Sequence, residues 1–294
     1  MIAMTAWPFW KMHGAGNDFV LTDGDDPAHL ARSDEEWAAL AERACDRHFG
    51  VGADGLIAVL PSEVADRRMR IFNPDGSEAE MCGNGIRCLV KFVLDQDDDL
   101  RARGTLRVET LAGVLDAVAT PGEDRAVARV RVSMGEPHFA PEDLGVRVEQ
   151  TPPVLGLPLE VAGTEQAVTL VSMGNPHAVT FIDEPVDAFE LERIGPEIEH
   201  HPVFANRTNF EIVRVRDRGA IDMRVWERGV GETLACGSGA CAAAVASRLH
   251  GFVDDRVDVH VPGGTLGIGW DGDGEVSLEG PATLVFASTW EDPA

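Results

Sequence analysis

The chain has 294 residues, 44% hydrophobic and 26% charged, with 50 acidic against 25 basic side chains and a formal charge of −25. At ~100–200 residues per domain this length predicts two domains, each with its own core, and the apolar content excludes wholesale disorder. The negative field repels polyphosphate, which excludes nucleic acid and anionic membrane as partners. In chain order, residues 33–48 (SDEEWAALAERACDRH) open on Ser, with early acids and late basic residues, and predict a helix. GLIAVL (55–60), RMRIF (68–72), TLRVET (105–110) and ARVRVSM (128–134) predict strands. IRCLVKFVL (86–94) and ACAAAVASRL (240–249) are apolar nearly all round and predict buried helices. DQDDDLRARG (95–104) and PGEDR (121–125) read as solvated turns. The last part is β-rich: VDVHVP (257–262), TLGIGW (265–270), GEVSLEG (274–280) and TLVFAST (283–289).

No apolar run approaches the ~18 residues of a membrane span, and the opening MIAMTAWPFWK lacks a basic start, so a cytoplasmic protein without a secretory leader is expected. Five cysteines, an odd count, predict reduced thiols rather than a disulfide framework. None has the spacing of a metal site, so no metal is expected. Only two of the basic residues are lysines, Lys11 and Lys91. This acidic, lysine-poor composition fits either a salty cytoplasm, where ions screen self-repulsion, or a GC-rich genome that favours Arg.

The chain repeats itself. Met81-Cys82-Gly83-Asn84-Gly85 precedes one predicted buried helix, and Ala235-Cys236-Gly237-Ser238-Gly239 precedes the other, with the cysteines 154 residues apart. VSMGEPH (132–138) likewise returns as VSMGNPH (171–177). A cysteine at a helix start sits beside unpaired backbone N–H groups and the positive end of the helix dipole, which favour thiolate over thiol. The glycines let the same N–H groups approach and hold a carboxylate. Two such starts facing each other would place one sulfur on each side of a substrate α-carbon. One sulfur would remove the α-proton as thiolate, and the other would return a proton as thiol. The N–H groups would stabilise the charge spreading into the carboxylate. Pyridoxal phosphate, the other route to an α-carbanion, needs a Schiff-base lysine; with only Lys11 and Lys91 available, a cofactor-free mechanism is favoured.

Cys45, Cys88 and Cys241 read as small buried hydrophobes. Cys82 and Cys236 could alternatively form a redox pair. His13-Gly14-Ala15-Gly16-Asn17-Asp18 lacks the dinucleotide fingerprint spacing. Asn73-Pro74-Asp75-Gly76, Gly174-Asn175-Pro176-His177 and Thr208-Asn209 are each ordinary turn chemistry. Glu227-Arg228 differs: Arg can take a carboxylate bidentately while Glu holds an ammonium, a combination suited to a multiply charged amino acid.

The blocks KMHGAGNDFV (11–20), GVGADGLI (50–57), RIFNPDGSEAEMCGNGIRC (70–88), SMGNPH (172–177), RTNFE (207–211) and WERGVGETLACGSGA (226–240) resemble diaminopimelate epimerases, over nearly the whole chain. Proline racemases and hydroxyproline epimerases share the superfamily but typically carry His where Asn84 stands here. The resemblance implies an α/β (α+β) protein of two pseudo-symmetric domains. Each would be a β-barrel-like sheet wrapped around a central helix, with the active site in the interdomain cleft. The domains would be residues 1–128, completed by strands at about 281–294, and residues 129–280. It implies Cys82 and Cys236 as the catalytic pair, and donors to the reacting carboxylate from Gly83, Asn84, Gly237 and Ser238. Glu227 would hold the reacting amine and support catalysis. Asn17, Asn73, Asn175, Asn209 and Arg228 would read the distal end of the substrate, and His177 would support catalysis without transferring the proton. The implied reaction interconverts LL- and meso-diaminopimelate without a cofactor, in lysine biosynthesis. The alternatives are a racemase or epimerase of another amino acid, such as proline or hydroxyproline, and a non-isomerase thiol protein. A homodimer is the expected assembly. With no Tyr in the chain, a tyrosine-based dimer contact found in part of the family cannot exist. Gly55 stands where some members carry Gln, so that side-chain contact is missing.

Overall fold

The computed structural model describes residues 5–24, 26, 29, 32–123 and 126–292. By internal contacts the chain divides into two compact units, residues 1–132 with 280–294, and residues 133–279. Both are strand-rich mixtures of α and β structure.

In the first unit Thr283–Asp292 pairs antiparallel with Thr5–Gly14, which pairs antiparallel with Asn17–Asp23. Gly55–Leu60 then runs parallel to Asn17–Asp23, Arg67–Phe72 antiparallel to it, and Thr105–Thr110 parallel to Arg67–Phe72. Gly113–Pro121 and Val127–Ser133 follow, both antiparallel. The second unit repeats this order of senses strand for strand. Leu157–Val161, Thr164–Ser172 and Pro176–Phe181 are successively antiparallel; Asn209–Asp217 is parallel, Ala220–Glu227 antiparallel, and Arg256–Val261 parallel. Gly264–Gly269 and Ser277–Pro281 close the series antiparallel. The repeat seen in two short motifs thus extends to the whole ladder. The first unit differs in drawing its first strand from the last strand of the chain.

Each unit holds one nearly wholly buried helix. In Gly83–Gln96 the residues from Gly83 to Leu94 are buried except Lys91, and strands Thr5–Gly14, Asn17–Asp23, Arg67–Phe72 and Gly113–Pro121 pack against it. Gly237–Leu249 is buried from Gly237 to Ser247 apart from Ser238; its alanines favour helix and let strands approach closely. A second helix covers each sheet. Asp34–Cys45 starts on a capping box: Ser33 Oγ accepts the Glu36 N–H, and the Glu36 carboxylate accepts the Ser33 N–H. Its Trp37, Leu40 and Ala44 pack with Trp7, Phe9, Leu56 and Phe72. Leu191–Glu199 covers the second unit, where Ile194 and Ile198 pack with Leu170, Phe210 and Ile212.

The first helix stops at Cys45, not near 48, because Asp46 Oδ1 takes the N–H groups of His48 and Phe49 and turns the chain out. Residues 95–104 are not all turn: Asp98–Arg103 is a short exposed helix. Asp97 caps it, acids fill its first turn, and Gly104 closes it at φ 69°. In 121–125, Asp124 and Arg125 lie outside the described residues. The strand expected from 274 begins at Ser277, after Gly274 at φ 66°. His13–Asp18 is a hairpin, with Ala15 and Gly16 both at positive φ between the paired Gly14 and Asn17. No helix of the described residues is long and apolar enough to cross a membrane.

Candidate active site

Both motif cysteines are helix N-caps. Cys82 precedes Gly83–Gln96 and Cys236 precedes Gly237–Leu249, in extended backbone. A short strand leads into each, Glu78–Ala79 against Arg67–Phe72 and Gly231–Thr233 against Ala220–Glu227.

Around Cys82 the structure gathers Asn17 and Asn84. The Cys82 thiol donates to Asn17 Oδ1 at 3.8 Å, and Asn84 Nδ2 donates to the same oxygen at 3.1 Å. The Asn17 amide is oriented by Asp54, whose Oδ2 takes its Nδ2 at 2.7 Å. Asn84 is oriented by Arg87, which donates to its Oδ1 at 2.7 Å and to the Gly83 carbonyl at 2.8 Å. Arg87 is wholly buried. Its signal in the sequence was a charge, one of two with Lys91, in the mostly apolar stretch 86–94. Asn73 lies in the turn before the short strand, exposed, with its Nδ2 on Ser77 Oγ at 2.9 Å.

Around Cys236 the structure gathers Ser238, Asn175 and His177. Gly239 N–H donates to Cys236 Sγ at 3.4 Å, and Ser238 Oγ lies 3.5 Å from the same sulfur. Asn175 Nδ2 donates to Ser238 Oγ at 3.3 Å, and its Oδ1 lies 3.0 Å from His177 Nε2. His177 Nδ1 meets Glu211 Oε1 at 2.7 Å, and both side chains are wholly buried. Gly174, at φ 86°, makes the left-handed bend that presents Asn175; Gly16, also at φ 86°, does the same for Asn17.

Glu227 ends the strand Ala220–Glu227, and Arg228 follows it. Glu227 accepts the Thr233 hydroxyl. Asn209 joins the two segments, with its Nδ2 on the Pro176 carbonyl at 2.9 Å and its Oδ1 taking the Arg228 N–H at 2.9 Å. Sequence reading missed Glu199, the buried anchor of this loop. It takes Trp226 Nε1 at 2.7 Å, the Gly229 N–H at 2.8 Å and Arg207 Nη1 at 3.1 Å.

Burial pushes Cys45 and Cys88 up to about 12. The expectation that a helix start lowers Cys236 is outweighed in this state. Burial raises it well above the ordinary thiol range, Glu227 and Glu211 add to that, and the donors Ser238 and Gly239 oppose it only in part. Both lysines are engaged. Lys11 pairs with Asp18 at 2.5 Å and reaches the Gly52 carbonyl; Lys91 bonds Asp95 and the Val127 carbonyl. No disulfide joins the cysteines among the described residues, which also hold no group of three His, Cys, Asp or Glu side chains placed to share a metal.

Residues 9–140 and 169–285 match the family described as diaminopimelate epimerase. The chain belongs to that family. A diaminopimelate epimerase of Desulfitobacterium hafniense is 50% identical over 278 residues, 94% of this chain and 95% of that protein. One from Pelotomaculum thermopropionicum is 49% identical over 96% of this chain and 98% of its own length. The fold of this diaminopimelate epimerase family member is also similar to solved structures of low identity. A hydroxyproline epimerase of Agrobacterium vitis has a TM-score of 0.68 at 16% identity, over all of this chain and 95% of that one. A PhzF-family phenazine biosynthesis protein of Bacillus anthracis has a TM-score of 0.68 at 20% identity, over 98% and 99%.

Proposed function

We propose that the protein is an isomerase that interconverts LL- and meso-diaminopimelate without a cofactor, using Cys82 and Cys236 as its two bases. The observation that carries this reading is the duplicated cysteine N-cap: two units of one topology each open their buried helix on Cys-Gly-x-Gly, in a chain half identical to diaminopimelate epimerases. One sulfur takes the α-proton and the other delivers a proton to the opposite face, so configuration inverts. The backbone N–H groups at the two helix starts, at Gly83, Asn84, Gly237 and Ser238, stabilise the charge that enters the α-carboxylate. Glu227 holds the reacting ammonium. Asn17, Asn73, Asn175, Asn209 and Arg228 read the distal end, and His177 supports Cys236 through Asn175. In each unit the strands close as a barrel about the buried helix. The working assembly is a homodimer, and the product serves lysine synthesis.

The test is proton NMR of LL-diaminopimelate with reduced enzyme in heavy water. Loss of one α-proton signal with appearance of the meso isomer, and no added cofactor, is the expected result. Exchange with proline derivatives instead would move the assignment to another amino acid. No exchange with any of these would leave a thiol redox or binding protein.

A further inference from the structure

The two cysteine environments have the same backbone and opposite hydrogen-bond polarity. Leu21 pairs with Ile57 across the parallel ladder of the first unit, as Val179 pairs with Glu211 in the second; Phe19 and His177 each stand two residues earlier on their strands. The equivalence extends to the helices. A Cβ on Gly85 would lie 3.0 Å from Ile57 Cδ1, and one on Gly239 would lie 2.7 Å from Glu211 Oε1. The sites behind Cys82 are therefore the apolar Phe19 and Ile57, and those behind Cys236 are His177 and Glu211.

His177 has oxygen against both ring nitrogens, Glu211 Oε1 and Asn175 Oδ1. Asn175 is oriented by its Nδ2, which donates to Ser238 Oγ, so its Oδ1 faces His177 and requires a hydrogen on Nε2. A neutral ring carries one N–H, and Nε2 holds it. The contact at Nδ1 is then satisfied only when one further proton lies between Nδ1 and Glu211, on either atom. Glu211 is fitted for that sharing. It is wholly buried, its Oε2 has no partner among the described residues, and burial with the nearby Glu227 raises its carboxyl while His177 opposes them. With the proton shared, the donors can run one way: His177 to Asn175, Asn175 to Ser238 and, with the Ser238 hydroxyl turned to the sulfur, Ser238 to Cys236 Sγ, joined there by the Gly239 N–H. At Cys82 the sulfur is instead the donor, to Asn17.

We propose that Glu211 is a positioning residue: by sharing a proton with His177 it fixes the Nε2–H form and aims a chain of donors at the sulfur of Cys236, and of Cys236 alone. The proposal rests on Cys236 being one of the two bases, and it deepens that reading by giving the two bases different support. The charged and titratable groups that bear on Cys236 are Glu211 and Glu227, and those that bear on Glu211 are His177 and Glu227.

The test reads each thiolate separately. Alkylation by iodoacetamide is followed by peptide mass spectrometry across pH, for Cys236 in Cys82→Ala and for Cys82 in Cys236→Ala. Adding Glu211→Leu is expected to slow Cys236 about tenfold near neutral pH, the worth of one lost hydrogen bond, and to leave Cys82 within about twofold. Glu211→Gln can donate to Nδ1 and hold the same ring form, so it is expected to restore most of the Cys236 rate. Equal change at both cysteines, no change at either, or Gln behaving like Leu would overturn the proposal. Should the Leu variant fail to fold, ring 15N shifts of His177 in the wild-type chain decide. A hydrogen on Nε2 is expected, and the neutral Nδ1–H form overturns it. Neither measurement uses substrate. A failure of α-proton exchange would therefore defeat the proposed reaction without touching this result.

Discussion

Glu232 grips Arg224 with both carboxylate oxygens, Oε1 to Nε at 2.8 Å and Oε2 to Nη2 at 2.9 Å, and so ties Gly231–Thr233 to the long strand beside it. The same two-pronged pair recurs as Arg70 and Glu78, at 2.7 Å for each contact, before the other cysteine. The duplicated sequence thus keeps a duplicated brace on the segment leading into each helix N-cap. Charged bidentate pairs in partly buried positions are worth ~1.5–3 kcal/mol when one partner is removed. Glu232→Gln is expected to lower kcat several-fold while costing about 1–2 kcal/mol in urea unfolding. Full activity in this variant would show that the brace does not set the position of Cys236.

Either cysteine replaced by alanine should abolish epimerisation, because inversion needs a donor and an acceptor on opposite faces. Each single variant should still exchange one α-hydrogen with solvent from the isomer whose proton its remaining sulfur can reach. Deuterium incorporation by mass spectrometry separates the two activities. Epimerisation persisting in both variants would end the two-base assignment. Ser238→Ala, which removes the hydroxyl but keeps the backbone donor, is expected to act mildly by comparison.

Acid stability should depend on Asp18. Burial alone would raise its carboxyl, but Arg47, Lys11 and the Asp54 N–H hydrogen-bond its charged form and hold it at about 2, against an ordinary 3.8. The folded value lies below the unfolded one, so the stabilisation is fully present above pH 3.8 and is lost as pH falls towards 2. A shift of this size is worth about 2 kcal/mol. Asp18→Asn should therefore be destabilised by roughly that amount at neutral pH, with the gap to wild type narrowing below about pH 4. A gap that stays constant into acid would mean that the loss comes from packing around Lys11 rather than from charge.

Much of the fold and of the motif positions could be read from the chain, and the residues that could not be read share a cause. The strands Gly55–Leu60 and Thr105–Thr110 fall where apolar runs and alternation put them, because those patterns report burial directly. Cys82 and Cys236 stand out because glycine flanks and repetition mark helix starts. Glu211 and Glu199 are different. Each is one acid in or beside apolar sequence, and its importance lies in partners 34 and 27 positions away, His177 and Trp226. Short-range pattern carries no information about such pairings. Asp97 was misread for a related reason: an acidic run reads as solvated, and capping depends on which single carboxylate sits one residue before the helix.

Arg228 is the residue on which we propose that substrate choice turns. Its backbone is fixed, the N–H on Asn209 Oδ1 and the following Gly229 N–H on Glu199, yet its guanidinium is exposed. That group makes one hydrogen bond, 3.3 Å to the Asn206 carbonyl, and has no carboxylate partner among the described residues. In a chain with twice as many acids as bases, a guanidinium without a carboxylate is poised for one supplied by a ligand. A diaminopimelate molecule brings a second carboxylate at its far end, and an imino acid such as proline brings none. Arg228→Ala is expected to raise KM for diaminopimelate about 10- to 100-fold, the worth of a bidentate charged contact, with a smaller change in kcat because the contact is the same in ground and transition states. Arg228→Lys keeps the charge but not the fork, and should recover only part of the loss. An unchanged KM in the alanine variant would remove Arg228 from the distal subsite. Combined with turnover of a proline derivative, it would shift the substrate assignment to a smaller amino acid.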